Sequence, residues 1–345
     1  MNVTHRAVVV LLALFVGLAS CGGSSGDFPD PGQDYSHLGL NDAEAATLLS
    51  LQLHSDYPLY SMRHYAEYDY REYKGPETAG TSGGWACTLF AALADPDSKL
   101  FARNFDWRYS PTLVLETDPT DAYASIALVD IDYLGFTDEQ LADLTALPLN
   151  ELTKLLDAHH IPFDGLNEVG LAVAMAAVPG GQVAVDPNKE PIGSLGIIRA
   201  MLDKAATVDE AIDVFDDYNI DFEGGPPLHY LVADSTGEVA LLEHFAGEIV
   251  VTGGGDDWEA ATNFLESSVD SEHGKCLRQD IVNEKLASTG GALDTDQAFV
   301  LLEEVSQSDT QWSVVYDIVT GEVRIAMGRR FEELFEFRLE MDQDG

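Results

Sequence analysis

Three stretches of this chain read as β-hairpins, and they restrict the fold more than any other feature. CTLFAALA, beginning at Cys87, is followed by the turn DPDSK and by LFARNF. HYLVAD, STG and EVALLEH follow from His229, and WSVVYDI, VTG and EVRIAM from Trp312. Each is strand, turn and strand, with the turn residues that hairpins need. GLAVAMAAV (170–178) reads as a buried strand and SIALVDIDYL as another. Helical spacing recurs at residues 41–53, 137–159, 194–204, 208–218, 277–287 and 295–305. Asn41 and Thr207 stand as caps. Strands must bury a face, and helices at hand can cover it. Two antiparallel sheets layered with helices is the economical α+β architecture.

Charge narrows the partners. Acids outnumber bases 60 to 18 among 345 residues, a formal net charge of −42. Such a chain repels phosphate backbones, so a nucleic-acid partner is excluded. It also avoids anionic membrane surfaces unless something covalent holds it there. The charge bears on solubility, not on fold.

The N-terminus reads as a targeting segment. Arg6 precedes an apolar run, AVVVLLALFVGL (7–18), too short to span a bilayer and suited to a signal-peptide core. Leu18-Ala19-Ser20-Cys21 then resembles a bacterial lipoprotein cleavage box, which implies diacylation of Cys21. Stable anchoring takes two such chains. The expected product is exported and held at the cell envelope by lipid, with its body outside the cytoplasmic membrane. The expected divisions are a signal peptide at 1–20, a Gly/Ser/Pro-rich linker at 21–36, a pro-segment at 37–86 and a catalytic domain at 87–345. Cys87 and Cys276 remain. In an oxidising compartment they either pair, or one is a protected reactive thiol.

Arg103-Asn104-Phe105-Asp106 lies on the returning strand of the hairpin that Cys87 opens. The spacing predicts Arg103 and Asp106 beside the cysteine, the arginine lowering the thiol's pKa and the Arg–Asp pair fixing both groups. Residue type alone equally allows a core cysteine beside a local ion pair.

The pattern Trp85-Ala86-Cys87-Thr88 with Arg103-Asn104-Phe105-Asp106 resembles the N-terminal-nucleophile cysteine amidases. That group includes choloylglycine hydrolases, penicillin V acylases, acid ceramidase relatives and acyl-CoA:6-aminopenicillanic acid acyltransferases. Further pieces agree in the same order: the turn Gly165-Leu166-Asn167-Glu168-Val169-Gly170-Leu171, the hairpin from Leu228 to Glu243, Ala261-Thr262-Asn263, Arg278, and Thr310–Asp317. The resemblance implies a four-layer αββα sandwich. It implies self-cleavage at Ala86–Cys87, after which the freed α-amine is the base for the thiol. It implies Cys87 as nucleophile, Asp106 holding its amine, Arg103 against the thiol, Asn263 offering its amide to the oxyanion and Arg278 supporting the site. The substrate implied is a small acyl amide, without metal or organic cofactor. Acyl transfer is the alternative reaction.

The tyrosine-rich stretch 57–73 resembles the pro-segment of the ceramidase and acyltransferase branch, in which the fragment stays bound. Ala177 stands where the bile-salt branch has Asn or Tyr, so a second oxyanion donor is to be sought in a backbone N–H. A Cys87–Cys276 disulfide is incompatible with a working thiol, so Cys276 is expected free.

Other readings are weighed against these. Cys87, His229 and Asn263 follow the papain-like order, but without its local surround. The chain can also be a non-catalytic surface lipoprotein. His159-His160 reads as a helix-end cation, Asp256-Asp257 lacks EF-hand order, and Gly253–Gly255 lacks a phosphate-loop context. The oligomeric state is not legible.

Overall fold

A computed structural model describes residues 35–71, 86–183, 185–222, 225–268 and 276–342. The expected signal peptide at 1–20, Cys21 and most of the expected linker at 21–36 lie outside these residues.

Two sheets face each other. The larger runs β1 (Gln52–Leu53), β2 (Leu59–His64), β5 (Thr112–Thr117), β6 (Ser125–Asp130), β7 (Asp164–Asn167), β8 (Ala172–Ala177), β11 (Leu228–Ala233), β12 (Val239–Phe245) and β13 (Glu248–Gly253). The smaller runs β14 (Trp258–Ala261), β3 (Ala86–Ala92), β4 (Leu100–Asp106), β15 (Thr310–Asp317), β16 (Glu322–Met327) and β17 (Leu334–Arg338). A parallel pair, β9 (Glu190–Gly193) with β10 (Tyr218–Asp221), stands apart.

Helices α1 (Asp42–Leu49), α3 (Gly196–Lys204) and α4 (Val208–Asp216) pack on the larger sheet, whereas α5 (Leu277–Thr289) and α6 (Thr295–Val305) pack on the smaller. The expected αββα sandwich is therefore the observed fold. The three hairpins are β3–β4, β11–β12 and β15–β16, each in antiparallel register.

Strand alternation explains the layering. Cys87, Leu89 and Ala91 of β3, with Phe101 and Phe105 of β4, belong to the core that includes the space between the sheets. Phe90, Ala92, Leu100 and Ala102 belong to the cluster with Val282 and Leu286 of α5 and Leu301 and Leu302 of α6. Side chains one residue apart point to opposite faces, so two cores are built from one hairpin.

Three expectations change. The larger sheet is not wholly antiparallel: β2 pairs with β5 in parallel, Leu59 opposite Thr112. A parallel pair needs a long crossover, and the chain supplies it by visiting the smaller sheet for β3 and β4. Residues 137–159 are not one helix. They form a short α2 (Asp138–Leu141) with a Thr137 capping box, then 3-10 turns at Leu144–Ala146 and Leu149–His160. Pro148 separates the last two, since the residue before a proline is kept out of the helical region. The first helix stops at Leu49, where the chain turns into β1.

The segment before Cys87 is part of the body. Leu40, Ala45, Leu48, Tyr60 and Met62 share a buried cluster with Leu113, Leu115, Val129 and Leu155. Among the described residues no helix is long and apolar enough to cross a membrane.

Candidate active site

The β3–β4 register sets Cys87 opposite Phe105 and Leu89 opposite Arg103. Arg103 Nη2 donates to Cys87 Sγ at 3.4 Å, and both residues are fully buried. Burial pushes the Cys87 thiol up, and the Arg103 charge opposes this without overcoming it. The expected lowering of the thiol by its cation is therefore not the net result.

The Arg103–Asp106 pair expected from sequence does not form. Residues three apart on a strand project from opposite faces. Arg103 instead meets Asp164 of β7, with Nη1 at 3.0 Å from Oδ2 and neither side chain exposed. Nη1 also donates to the Phe163 carbonyl at 2.8 Å. Asp164 is held by Tyr316 Oη at 2.5 Å and Trp312 Nε1 at 3.3 Å. The guanidinium lies over the Phe105 ring, 5.0 Å from its centroid, and Phe105 stacks on Trp312. Burial raises the Asp164 carboxyl, and Arg103 counters it. Asp164 is the site residue that sequence reasoning missed. Its only signal was a lone carboxylate in an apolar strand, Phe163-Asp164-Gly165-Leu166.

Asp106 belongs to the other face of β4. Thr310 Oγ1 donates to its Oδ1 at 2.5 Å, and Arg278 Nη1 stands 3.8 Å from Oδ2. Burial lifts this carboxyl to about 6, against the Thr310 hydrogen bond and the Arg278 charge.

The nitrogen of Cys87 is held by Asn263, not by Asp106. The Cys87 N–H donates to Asn263 Oδ1 at 2.7 Å. Asn263 Nδ2 donates to the Ala177 carbonyl at 2.8 Å, so that amide is engaged by the residue at the branch-distinguishing position. Arg278, near the start of α5, ties the set together. Its Nη1 donates to the Cys87 carbonyl at 2.5 Å and to Thr88 Oγ1 at 2.8 Å, and its Nη2 to Asn263 Oδ1 at 3.0 Å. Cys87, Arg103, Asp106, Asn263 and Arg278 thus form one connected set around the Ala86–Cys87 junction.

The remaining candidates sort as follows. Both ring nitrogens of His229 are engaged elsewhere, with Thr262 and Glu243, so the papain-like arrangement finds no support. Cys276 is a free thiol at the N-cap of α5, and Cys87 is free too. Cys21 lies outside the described residues. His159 and His160 are buried at the end of the 3-10 helix, and burial holds both below the ordinary imidazole value, His160 at about 4. They are neutral near pH 7, so the helix-end-cation reading is corrected. Among the described residues no group of three or more His, Cys, Asp or Glu is placed to hold a metal ion.

Residues 87–255 match the family model of linear amide C-N hydrolases, choloylglycine hydrolase family. They form an amidohydrolase domain of the kind that acts on linear C–N bonds other than peptide bonds. Among solved structures, the chain is similar to a penicillin V acylase from Agrobacterium tumefaciens at 16% identity, covering 75% of this chain and 89% of that one, with a TM-score of 0.51. It is similar to a mutant conjugated bile acid hydrolase from Clostridium perfringens at 14% identity, covering 75% and 94%, with a TM-score of 0.52. At these identities the likeness speaks for the fold. No curated protein matches the chain in sequence.

Proposed function

We propose that this amidohydrolase is made by self-cleavage at Ala86–Cys87 and works through Cys87 as an N-terminal nucleophile on small acyl amides. The observation that carries the reading is the set of contacts on one residue: Arg103 at the Cys87 sulfur, Asn263 at its nitrogen and Arg278 at its carbonyl. A core cysteine needs none of these.

In the first step the Cys87 sulfur attacks the Ala86 carbonyl carbon. The C–N bond breaks, the Cys87 nitrogen takes up the proton, and a thioester remains. Water hydrolyses the thioester to the Ala86 carboxylate and the free thiol. Free α-amines ordinarily titrate near neutrality, so the new α-amine serves as base. In turnover the thiolate attacks the substrate carbonyl, the amine leaves with the proton, and water releases the acid from the acyl-enzyme.

Asn263 Oδ1 is at hand for the new amine, and Arg103 offsets the thiolate charge. For Asn263 Nδ2 to serve as oxyanion donor it must leave the Ala177 carbonyl to which it donates here. If transfer replaces hydrolysis, a second amine takes the place of water.

Cys21 carries the lipid in this reading, which puts the anchor on the short fragment and the thiol on the long one. The strand pairing of β2 with β5 and the apolar cluster beneath it support lasting association of the two. Incubation with N-acyl amides of graded chain length, followed by acid quench and mass mapping, tests the chemistry. The expected result is an acyl thioester on Cys87 and none in Cys87→Ser. Turnover with no acyl group on Cys87 contradicts the reading.

A further inference from the structure

We infer that His229 and Glu243 are positioning residues that set the distance between Asn263 and the Cys87 nitrogen, an inference that rests on the proposed function above. Both residues are fully buried on neighbouring strands β11 and β12. The β11–β12 register sets Tyr230 opposite Leu242, and one step further along it brings His229 opposite Glu243. His229 Nδ1 lies 3.1 Å from Glu243 Oε1.

Among the described residues, their other hydrogen bonds go to one loop. His229 Nε2 is 2.8 Å from the Thr262 carbonyl, which only accepts, so this nitrogen donates. Glu243 accepts from the backbone N–H of Glu266 at 2.9 Å and of Ser267 at 2.8 Å, and from the Ser267 hydroxyl. The loop leaves β14, the edge strand of the smaller sheet, and carries Asn263. It is therefore pinned immediately before Asn263 and again three and four residues after it. Both pins belong to the larger sheet. The pair is a strut across the sandwich.

Burial of an imidazole and a carboxylate costs free energy unless each is fully partnered. Here the partners are backbone atoms on either side of a residue that touches the nucleophile. Burial raises the Glu243 carboxyl, but the His229 and Ser267 hydrogen bonds outweigh it and hold the group below its ordinary value, in keeping with an ionised acceptor.

The test uses the full chain and its own peptide bond as substrate. Intact mass over time gives the rate of self-cleavage at Ala86–Cys87. His229→Leu is expected to slow it about 10- to 100-fold, the scale of losing a hydrogen bond to a charged network. His229→Gln, which keeps an N–H donor, is expected to recover part of that loss, at an equal thermal midpoint. A merely structural role predicts rates that follow the midpoint instead. Glu243→Gln keeps the shape and weakens the tie, and it carries the same test if His229→Leu does not fold. Cleavage of either variant at the wild-type rate overturns this inference and leaves the proposed function standing. A wild type that is not cut overturns the proposed function and this inference with it.

Discussion

Asn263 Oδ1 accepts the Cys87 N–H at 2.7 Å, across a sequence separation that only the sandwich closes. The same oxygen takes a second hydrogen bond from Arg278. One amide thus joins the candidate nucleophile to a guanidinium that also grips the Cys87 carbonyl. Asn263→Ala removes both this acceptor and the proposed oxyanion donor, and is expected to slow turnover by about 10²–10³, the usual loss for an oxyanion-hole amide, and to slow self-cleavage as well. Time courses of intact mass, with the folded fraction checked by circular dichroism, read this out.

The Arg103–Asp164 pair has no exposure on either side. Removing one member strands a buried charge, which costs about 3–5 kcal/mol. Arg103→Ala and Asp164→Ala should each lower stability on that scale in urea unfolding. Replacement of both together is expected to cost less than the sum of the two, because neither charge is left alone.

Gly328 turns at φ +57, and a Cβ there meets the Tyr57 ring at 2.5 Å. Tyr57 precedes the proposed cut and donates to Gln311 at 3.3 Å, and Arg330 pairs with Asp56 nearby. Gly328→Ala is expected to weaken the hold of the short fragment by about 1–3 kcal/mol, the range for overpacking. Size exclusion of cleaved protein in graded urea should show the fragments separating at lower denaturant than in the wild type.

His64 on β2 lies against His159, with ring centroids 4.5 Å apart. Burial, with the Arg199 charge next, lowers His64 from 6.5 to about 4. A depressed folded value means that this neutral ring stabilises the fold above about 6.5 and that the stabilisation is lost as pH falls towards 4. Asp130 has the opposite sign, since burial raises it to about 7, so the whole stability curve does not isolate the histidine. The difference does. The melting temperature of wild type minus that of His64→Phe should fall steadily from pH 6.5 to 4, and a flat difference contradicts the assignment.

Much of the layout was legible because hairpins announce themselves locally. Period-two strands and Gly-containing turns gave β3–β4, β11–β12 and β15–β16, and with them the proximity of Arg103 to Cys87. The same periodicity, applied to Arg103 and Asp106, also excludes their pairing, and the pairing expected from spacing alone was wrong for that reason. Asp164 could not be found locally, because its partner is brought by the facing sheet. The β2–β5 pairing was hidden for a similar reason: a parallel neighbour is fixed by tertiary crossover, not by any turn. His159 and His160 read as helix-end cations because their position in the helix carries no information on their burial.

The central claim is that a peptide bond breaks before Cys87 and leaves that residue as a chain start. The most direct measurement is the intact mass and N-terminal sequence of the purified full chain beside its Cys87→Ala variant. The account expects two associated fragments in the wild type, the longer beginning at Cys87, and one unbroken chain in the variant. An active wild type that remains a single chain, or a variant cut at the same bond, contradicts it.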